Sequence, residues 1–397
     1  MRAACLVAVA IVWLTLGLSG VAHAARIVTW TTRSRFVDPV GPTPFNRPPG
    51  VAPRANALRV NVYLPDGYDG RRRFPVLWLL HGHGDAYDSW INPRQGDLLR
   101  IARGFRGIIV MPEAAQGWYT DWWRGGARRP GWESYYLREL IPLVERRLRI
   151  LPARRDHAIA GNSMGGEGAA YLAEQLPGYF GAVASFSGSL SIERPEWPAA
   201  FNTQGQDYRT VFGPPHDYYA TGHDPVALAP NLAHTRVLVR VGDGVPAPSE
   251  AGNVFGAVAE QELRLHAVDF ADATSAAGAP TTLTVHQGIH DWPYWRRDLS
   301  AALRWGLFAP VTAGSRRWRY ATVDQFAQAW DLQLRFTRPP RTLERLVRNG
   351  SALTGAGSGT IVITTAAGCR LSARLPFRLT LPSQPCHRRA ARAKPQR

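Results

Sequence analysis

The sequence predicts an α/β protein with a mostly parallel central sheet, followed by a small β-rich domain. Three observations carry that prediction. Apolar strand-like runs alternate with amphipathic helical stretches from about residue 58. A Gly-Asn-Ser-Met-Gly turn sits at one strand-to-helix junction. After about Pro310 the alternation gives way to stretches rich in β-branched and aromatic residues. Continuous apolar strands separated by helices belong to sheets covered on both faces. With 397 residues, 45% hydrophobic and 19% charged, the chain can bury a large core and is too apolar for wholesale disorder.

The N-terminus reads as an address. Arg2, the apolar run Ala3 to Leu18 and the small-x-small site Ala22-His23-Ala24 form a secretory signal peptide over residues 1–24. The run is short for a bilayer span, and no later stretch is long and apolar enough to make one. A secreted, extracellular or cell-wall-associated chain starting near Ala25 is therefore expected. Residues 33–57, rich in Pro and Gly, read as an extended segment.

Strands are predicted at Leu58–Leu64, Pro75–Leu80, Gly107–Met111, His157–Ala160, Ala182–Phe186, Arg236–Val241 and Thr281–Val285. Helices are predicted at Trp132–Leu148, Ser163–Leu176, Ala251–Ala271 and from about Trp292 to Leu307. In the first of these Tyr136, Leu137, Leu140, Ile141, Val144 and Leu148 share one face. Residues 190–232 interrupt the pattern with Pro, Trp, Tyr and Gly, as lids and pocket walls do. The main domain is placed at 25–309, the β-rich domain at 310–386 with a turn at Asn349-Gly350, and a basic tail at 387–397.

Lys+Arg 47 against Asp+Glu 30 gives a net charge of +17, which favours acidic surfaces. Only Lys394 is a lysine and the arginines are scattered. No nucleic-acid module accompanies the charge, so no nucleic-acid partner is expected. Of the three cysteines, Cys5 leaves with the signal peptide, so Cys369 and Cys386 are expected to form a disulfide in an oxidising compartment.

The candidate chemistry centres on Gly161-Asn162-Ser163-Met164-Gly165, a G-x-S-x-G turn after a predicted strand and before a predicted helix. Such a turn pushes Ser163 Oγ out of the sheet as a nucleophile, and the α/β-hydrolase fold presents its serine this way. A serine needs a base. His290, in Gly288-Ile289-His290-Asp291-Trp292 after the last predicted strand, is the best placed, with His286 as fallback. For the acid, Asp243 ends a predicted strand while Glu260 and Glu262 lie on the following helix; the residues alone leave the three open. His81-Gly82-His83-Gly84 follows the strand Pro75–Leu80. The backbone N–H groups of His83 and Met164 are the natural oxyanion-hole donors there. A metal held by His81, His83 and Asp85 lacks a further ligand cluster, so neither a metal nor any other cofactor is expected.

Together these motifs resemble the putative-esterase family of α/β-hydrolases, which includes esterase D and the antigen 85 mycolyltransferases, the latter branch more closely. The resemblance runs from about Leu58 to Leu307 and is carried by Tyr119-Thr120-Asp121-Trp122-Trp123, Trp132-Glu133-Ser134-Tyr135, the Ser163 turn and Gly288 to Trp295. It implies a Ser–Glu–His triad with the acid on the helix after Gly242-Asp243-Gly244, best matched by Glu260 and next by Glu262. The His81-Gly82-His83-Gly84 loop lacks the acidic residue and arginine with which that branch binds its sugar acceptor, and residues 310–397 have no counterpart there.

The expected function is therefore a secreted serine esterase acting on ester or lipid acyl substrates. The alternatives are an acyltransferase passing acyl groups to a sugar or cell-wall alcohol, and a wall-binding protein on a hydrolase scaffold. Trp122, Trp123 and Trp292, with Tyr294 and Trp295, are expected to wall the acyl or alcohol site.

Overall fold

The computed structural model describes residues 24–37, 58–123, 130–384 and 386. The expected signal peptide, apart from Ala24, and the basic tail lie outside the described residues.

Eight strands form the central sheet: β1 (Arg26–Thr32), β2 (Leu58–Leu64), β3 (Val76–Leu80), β4 (Ile108–Pro112), β5 (His157–Asn162), β6 (Ala182–Phe186), β7 (Arg236–Gly242) and β8 (Thr281–His286). Their spatial order is β1-β2-β4-β3-β5-β6-β7-β8. From β4 to β8 all pairs are parallel, while β2 runs antiparallel to both β1 and β4. Alternate residues feed two separate cores: Val76, Trp78 and Leu80 of β3 point to one, Leu77 and Leu79 to the other. That two-sided burial explains why the strands read as continuous apolar runs.

The helices that matter for the site are α1 (Met164–Gln175), α2 (Val254–Ala276) and α3 (Trp292–Trp305). The helical stretch Trp132–Arg147 has a π-helical turn at Tyr136–Leu140. After β3 the chain crosses to β4 on one side, and β5 then opens the other half of the sheet. The carboxyl ends of β3 and β5 therefore flank a reversal of strand order, where open α/β sheets form their ligand crevice.

Beyond residue 316 the chain forms two four-stranded antiparallel sheets. One has the order β10 (Phe326–Ala329), β11 (Leu332–Phe336), β14 (Thr360–Thr365), β15 (Arg370–Arg374). The other is β16 (Phe377–Thr380), β13 (Ala352–Ala356), β12 (Glu344–Asn349), β9 (Arg317–Thr322). Side chains of both sheets, among them Trp318, Leu334, Leu346 and Ile363, share one apolar core. Asn349 pairs with Ala352 across a tight turn in which Gly350 takes φ +65°, a conformation glycine adopts without strain. A disulfide joins Cys369 and Cys386.

This β-sandwich is fastened to the main sheet rather than hung from it. Ala321 and Val323 belong to the same apolar cluster as the central strands. Asn231 donates to Ala321 O at 2.9 Å and accepts from Ala321 N–H at 2.8 Å, mimicking a strand partner. Arg154 lies over the Trp330 ring and donates to Thr312 O at 3.1 Å.

Candidate active site

Three glycine-dependent approaches build the turn that carries Ser163. A Cβ on Gly161 would stand 2.2 Å from Gly165 O, and one on Gly165 would stand 2.6 Å from His81 O. Helix α1 can therefore pack against the ends of β5 and β3 only when both residues lack side chains. Ser163 itself sits at φ 54°, ψ −123°, a conformation that costs a non-glycine residue about 1–3 kcal/mol. Gly82, in the loop after β3, comes so close that a Cβ there would lie 3.3 Å from Ser163 Cβ.

His290 arrives from the opposite end of the chain. Its backbone N–H bonds to Gly256 O at 3.0 Å, docking the β8–α3 loop on the first turn of α2. Asp291 caps α3 by accepting from Trp292 N–H at 2.6 Å, with Pro293 in the first turn, both favoured at helix starts. The imidazole that results has Nε2 2.8 Å from Ser163 Oγ and Nδ1 2.8 Å from Glu260 Oε2. Glu260 is fully buried, His290 12% exposed. The other carboxylate oxygen, Oε1, accepts from Ser187 O–H at 2.6 Å and from Gly242 N–H. The Trp295 and His290 rings meet edge-to-face with centroids 4.9 Å apart. Because a carboxylate accepts only, Nδ1 carries the proton and Nε2 is free to receive one from Ser163.

The remaining candidates have other partners. Asp243 Oδ1 accepts from Val245 N–H at 2.8 Å and Gly288 N–H at 3.2 Å, bracing the two loops that meet at the site. Glu262 faces His266 Nε2 at 3.3 Å and Arg194 at 3.8 Å, on a different side of α2. His286 Nε2 faces Asp298 Oδ2 at 3.1 Å. His83 Nε2 donates to Gln206 Oε1 at 3.1 Å, whereas the His81 ring accepts from Ala114 N–H at 3.0 Å and Asp85 accepts from Gln95 Nε2. Among the described residues no group of three His, Cys, Asp or Glu side chains is arranged to hold a metal ion.

Of the aromatics expected to wall a pocket, Trp292 lies edge-on to Trp90 and Trp295 inside the second core. Trp123 packs on Tyr218 and Tyr219, and Trp122 donates from Nε1 to Gly117 O at 3.1 Å. Two residues escaped sequence reasoning. Ser187 follows β6 directly, and the signal for it was its place at a strand's carboxyl end, where functional residues gather. Gln206, in the 190–232 insertion, ties three segments together. Its Oε1 accepts from His83 and, at 2.7 Å, from Trp118 Nε1, while its Nε2 donates to Gln116 O at 2.7 Å. The insertion thereby braces the loop after β3.

Comparison with known proteins agrees with this architecture. Esterase Rv1288 of Mycobacterium tuberculosis is 31% identical over 237 residues, 56% of this chain and 50% of the relative. The diacylglycerol acyltransferase/mycolyltransferase Ag85C of Mycobacterium leprae is 28% identical over 209 residues, 49% of this chain and 62% of the relative. This chain thus spans about half the length of the first of these curated relatives. Among solved structures, an S-formylglutathione hydrolase from Agrobacterium tumefaciens superposes with a TM-score of 0.55 at 18% identity, covering 72% of this chain and 95% of that one. That likeness speaks for the α/β-hydrolase fold of the central sheet; the two antiparallel sheets after residue 316 are this chain's addition to it. The family model described as "Putative esterase" matches residues 55–306, and the chain belongs to that family.

Proposed function

We propose that the chain is a secreted serine esterase that cleaves carboxylic esters through an acyl-enzyme on Ser163. The observation that carries the reading is the unbroken relay Ser163 Oγ, His290, Glu260, with 2.8 Å at each link. Ser163 attacks the ester carbonyl while His290 Nε2 takes its proton, and Glu260 holds the imidazole in the required tautomer and stabilises the imidazolium. The oxyanion forms near the start of α1 and the Gly82 loop, where the backbone N–H groups of Met164 and His83 serve as donors. His290 then protonates the departing alcohol, and water, deprotonated by the same imidazole, releases the acid.

The relay delivers the acyl group equally well to an alcohol, and the match to an Ag85C acyltransferase supports that second reading. Product analysis with and without a sugar acceptor separates the two; an unchanged product distribution excludes transfer to that sugar. Secretion is supported by the N-terminal sequence and by the Cys369–Cys386 disulfide, a bond that persists in oxidising compartments.

The direct test is labelling with a fluorophosphonate followed by peptide mapping, together with hydrolysis of a short nitrophenyl ester. Ser163→Ala abolishes labelling and lowers turnover by about 10⁴–10⁶. Hydrolysis at the wild-type rate by that variant removes the proposal.

A further inference from the structure

A cleft of about 750 Å³ opens between the 190–232 insertion and the β-sandwich, remote in sequence from Ser163. Tyr218, Phe336, Thr360 and the arginines Arg338, Arg341 and Arg374 line it, and among the described residues no acidic one does. The three arginines are exposed, and among the described residues none has a carboxylate within salt-bridge distance. Their backbones are held in place. Thr337 N–H bonds to Thr360 O and Leu375 N–H to Gly359 O, both at 2.9 Å. Pro339 and Pro340 stiffen the segment between Arg338 and Arg341. Behind it the buried Glu344 accepts from Thr342 O–H at 2.7 Å and Ser358 N–H at 3.0 Å, pulling together the two loops that carry the rim.

The charge is spread as well as fixed. Arg374 pairs with Thr360 across β14 and β15, and Arg338 continues from β11 on the far side of β14. The backbones carrying the two arginines are thus separated by one strand, roughly 10 Å, so the positive charge is offered along the cleft rather than at one point. Guanidinium groups suit planar, bidentate binding of such oxyanions. Tyr218 and the two prolines add apolar faces, and Thr337, Ser358 and Thr360 add hydroxyls, a combination matched to sugar rings carrying repeated anionic groups.

We propose that this cleft binds an acidic polysaccharide, with Arg338, Arg341 and Arg374 as its anion ligands. The site is independent of the esterase reading and would anchor the enzyme to an anionic polymer. The test measures affinity of the full mature chain for polygalacturonate (carboxylate), a phosphomannan (phosphate) and dextran (neutral). Binding to either anionic polymer but not to dextran is expected, and the polymer that binds identifies the anion. The triple variant Arg338→Ala/Arg341→Ala/Arg374→Ala loses about tenfold or more in affinity, from three lost charge-assisted contacts. A control, Arg103→Ala/Arg106→Ala/Arg304→Ala, removes equal charge from exposed positions elsewhere and stays within about twofold. Should the triple variant melt early, the milder Arg338→Gln/Arg374→Gln pair must still weaken binding where the control does not. Failure of the wild type to bind either anionic polymer, equal binding to dextran, or equal losses in cleft and control variants overturns the proposal. Nitrophenyl ester hydrolysis, measured alongside, reports on the Ser163 site separately.

Discussion

Ser187 Oγ stands 2.6 Å from Glu260 Oε1 and donates its proton to it, while Trp295 Nε1 approaches the same hydroxyl at 3.3 Å. A serine at the end of β6 thus fixes the rotation of a carboxylate on α2, which in turn orients an imidazole on the β8–α3 loop. Ser187→Ala leaves Oε1 with the Gly242 N–H alone. A hydrogen bond to a charged group is worth about 1.5–3 kcal/mol. If that orientation is lost chiefly in the transition state, kcat falls by roughly 10- to 100-fold. KM stays near wild type, and the melting temperature falls by no more than a few degrees. A change confined to KM, or a large drop in melting temperature, argues against this positioning role.

The acid can be assigned by amide substitution. In Glu260→Gln the side-chain oxygen must face the donors Ser187 and Gly242, which turns the NH2 toward His290 Nδ1. That forces Nδ1 to accept, places the ring proton on Nε2 and removes the base facing Ser163. Turnover should fall by about 10³–10⁴ with the fold intact, as expected when the wrong tautomer is imposed. Glu262→Gln, which alters contacts with His266, Arg194 and Glu196, away from His290, stays within about twofold. Kinetics of the two variants side by side decide the matter, and equal losses would contradict the geometry.

Why the acid was open in the sequence, while Ser163 and His290 stood out, has a physical explanation. The serine turn is local: two glycines and a strand–helix junction suffice to specify it. His290 is marked by following the last strand. Choosing between Glu260 and Glu262 instead requires knowing which side of α2 meets the sheet. A signal was present, because Glu260 lies three and seven residues before the buried Leu263 and Ala267, on the same face. Ser187 and Gln206 act through tertiary contacts with no local pattern. For the fold, β2 and β6 have the boundaries expected from their apolar runs, since both are central and covered. Strand β1 was missed. It is a half-exposed edge strand paired antiparallel to β2, so neither a continuous apolar run nor a following helix announces it.

Several buried acids make stability depend on pH. Burial pushes the Asp224 carboxyl up to about 7, opposed by the hydrogen bond from Ile192 N–H. A carboxyl with a raised folded pKa retains its proton where the unfolded chain has lost it. Its contribution is therefore fully present below about pH 4 and is lost as pH rises to about 7. Histidines act in the opposite sense: burial depresses His223 to about 4, so its contribution fades as pH falls below about 6.5. The difference between wild type and Asp224→Asn isolates the acid, because the histidines cancel. The variant should gain stability relative to wild type as pH rises from about 4 to 7, by at most about 4 kcal/mol. Melting temperatures across that range test it, and a flat difference would mean Asp224 titrates normally.

Asn231 offers the sharpest test of how the β-sandwich is attached. Its amide donates to Ala321 O and Glu174 O and accepts from Ala321 N–H, so both polar backbone groups of Ala321 depend on one side chain. Asn231→Leu keeps the branched outline but removes every partner. Three buried groups lose this partner; at about 1–3 kcal/mol each, the variant should lose roughly 3–9 kcal/mol. Because Val323 and Ala321 belong to the main core, the loss should spread: the whole molecule melts earlier in one transition, and protease cuts near residues 310–316 appear before unfolding. Asn231→Asp separates chemistry from packing. It keeps the acceptor for Ala321 N–H, but when ionised it sets a buried carboxylate against the Ala321 and Glu174 carbonyl oxygens. Its loss of stability should therefore be large at neutral pH and shrink at low pH, where the protonated acid donates again. A melting curve unchanged in both variants would mean that the apolar contacts alone hold β9 in place.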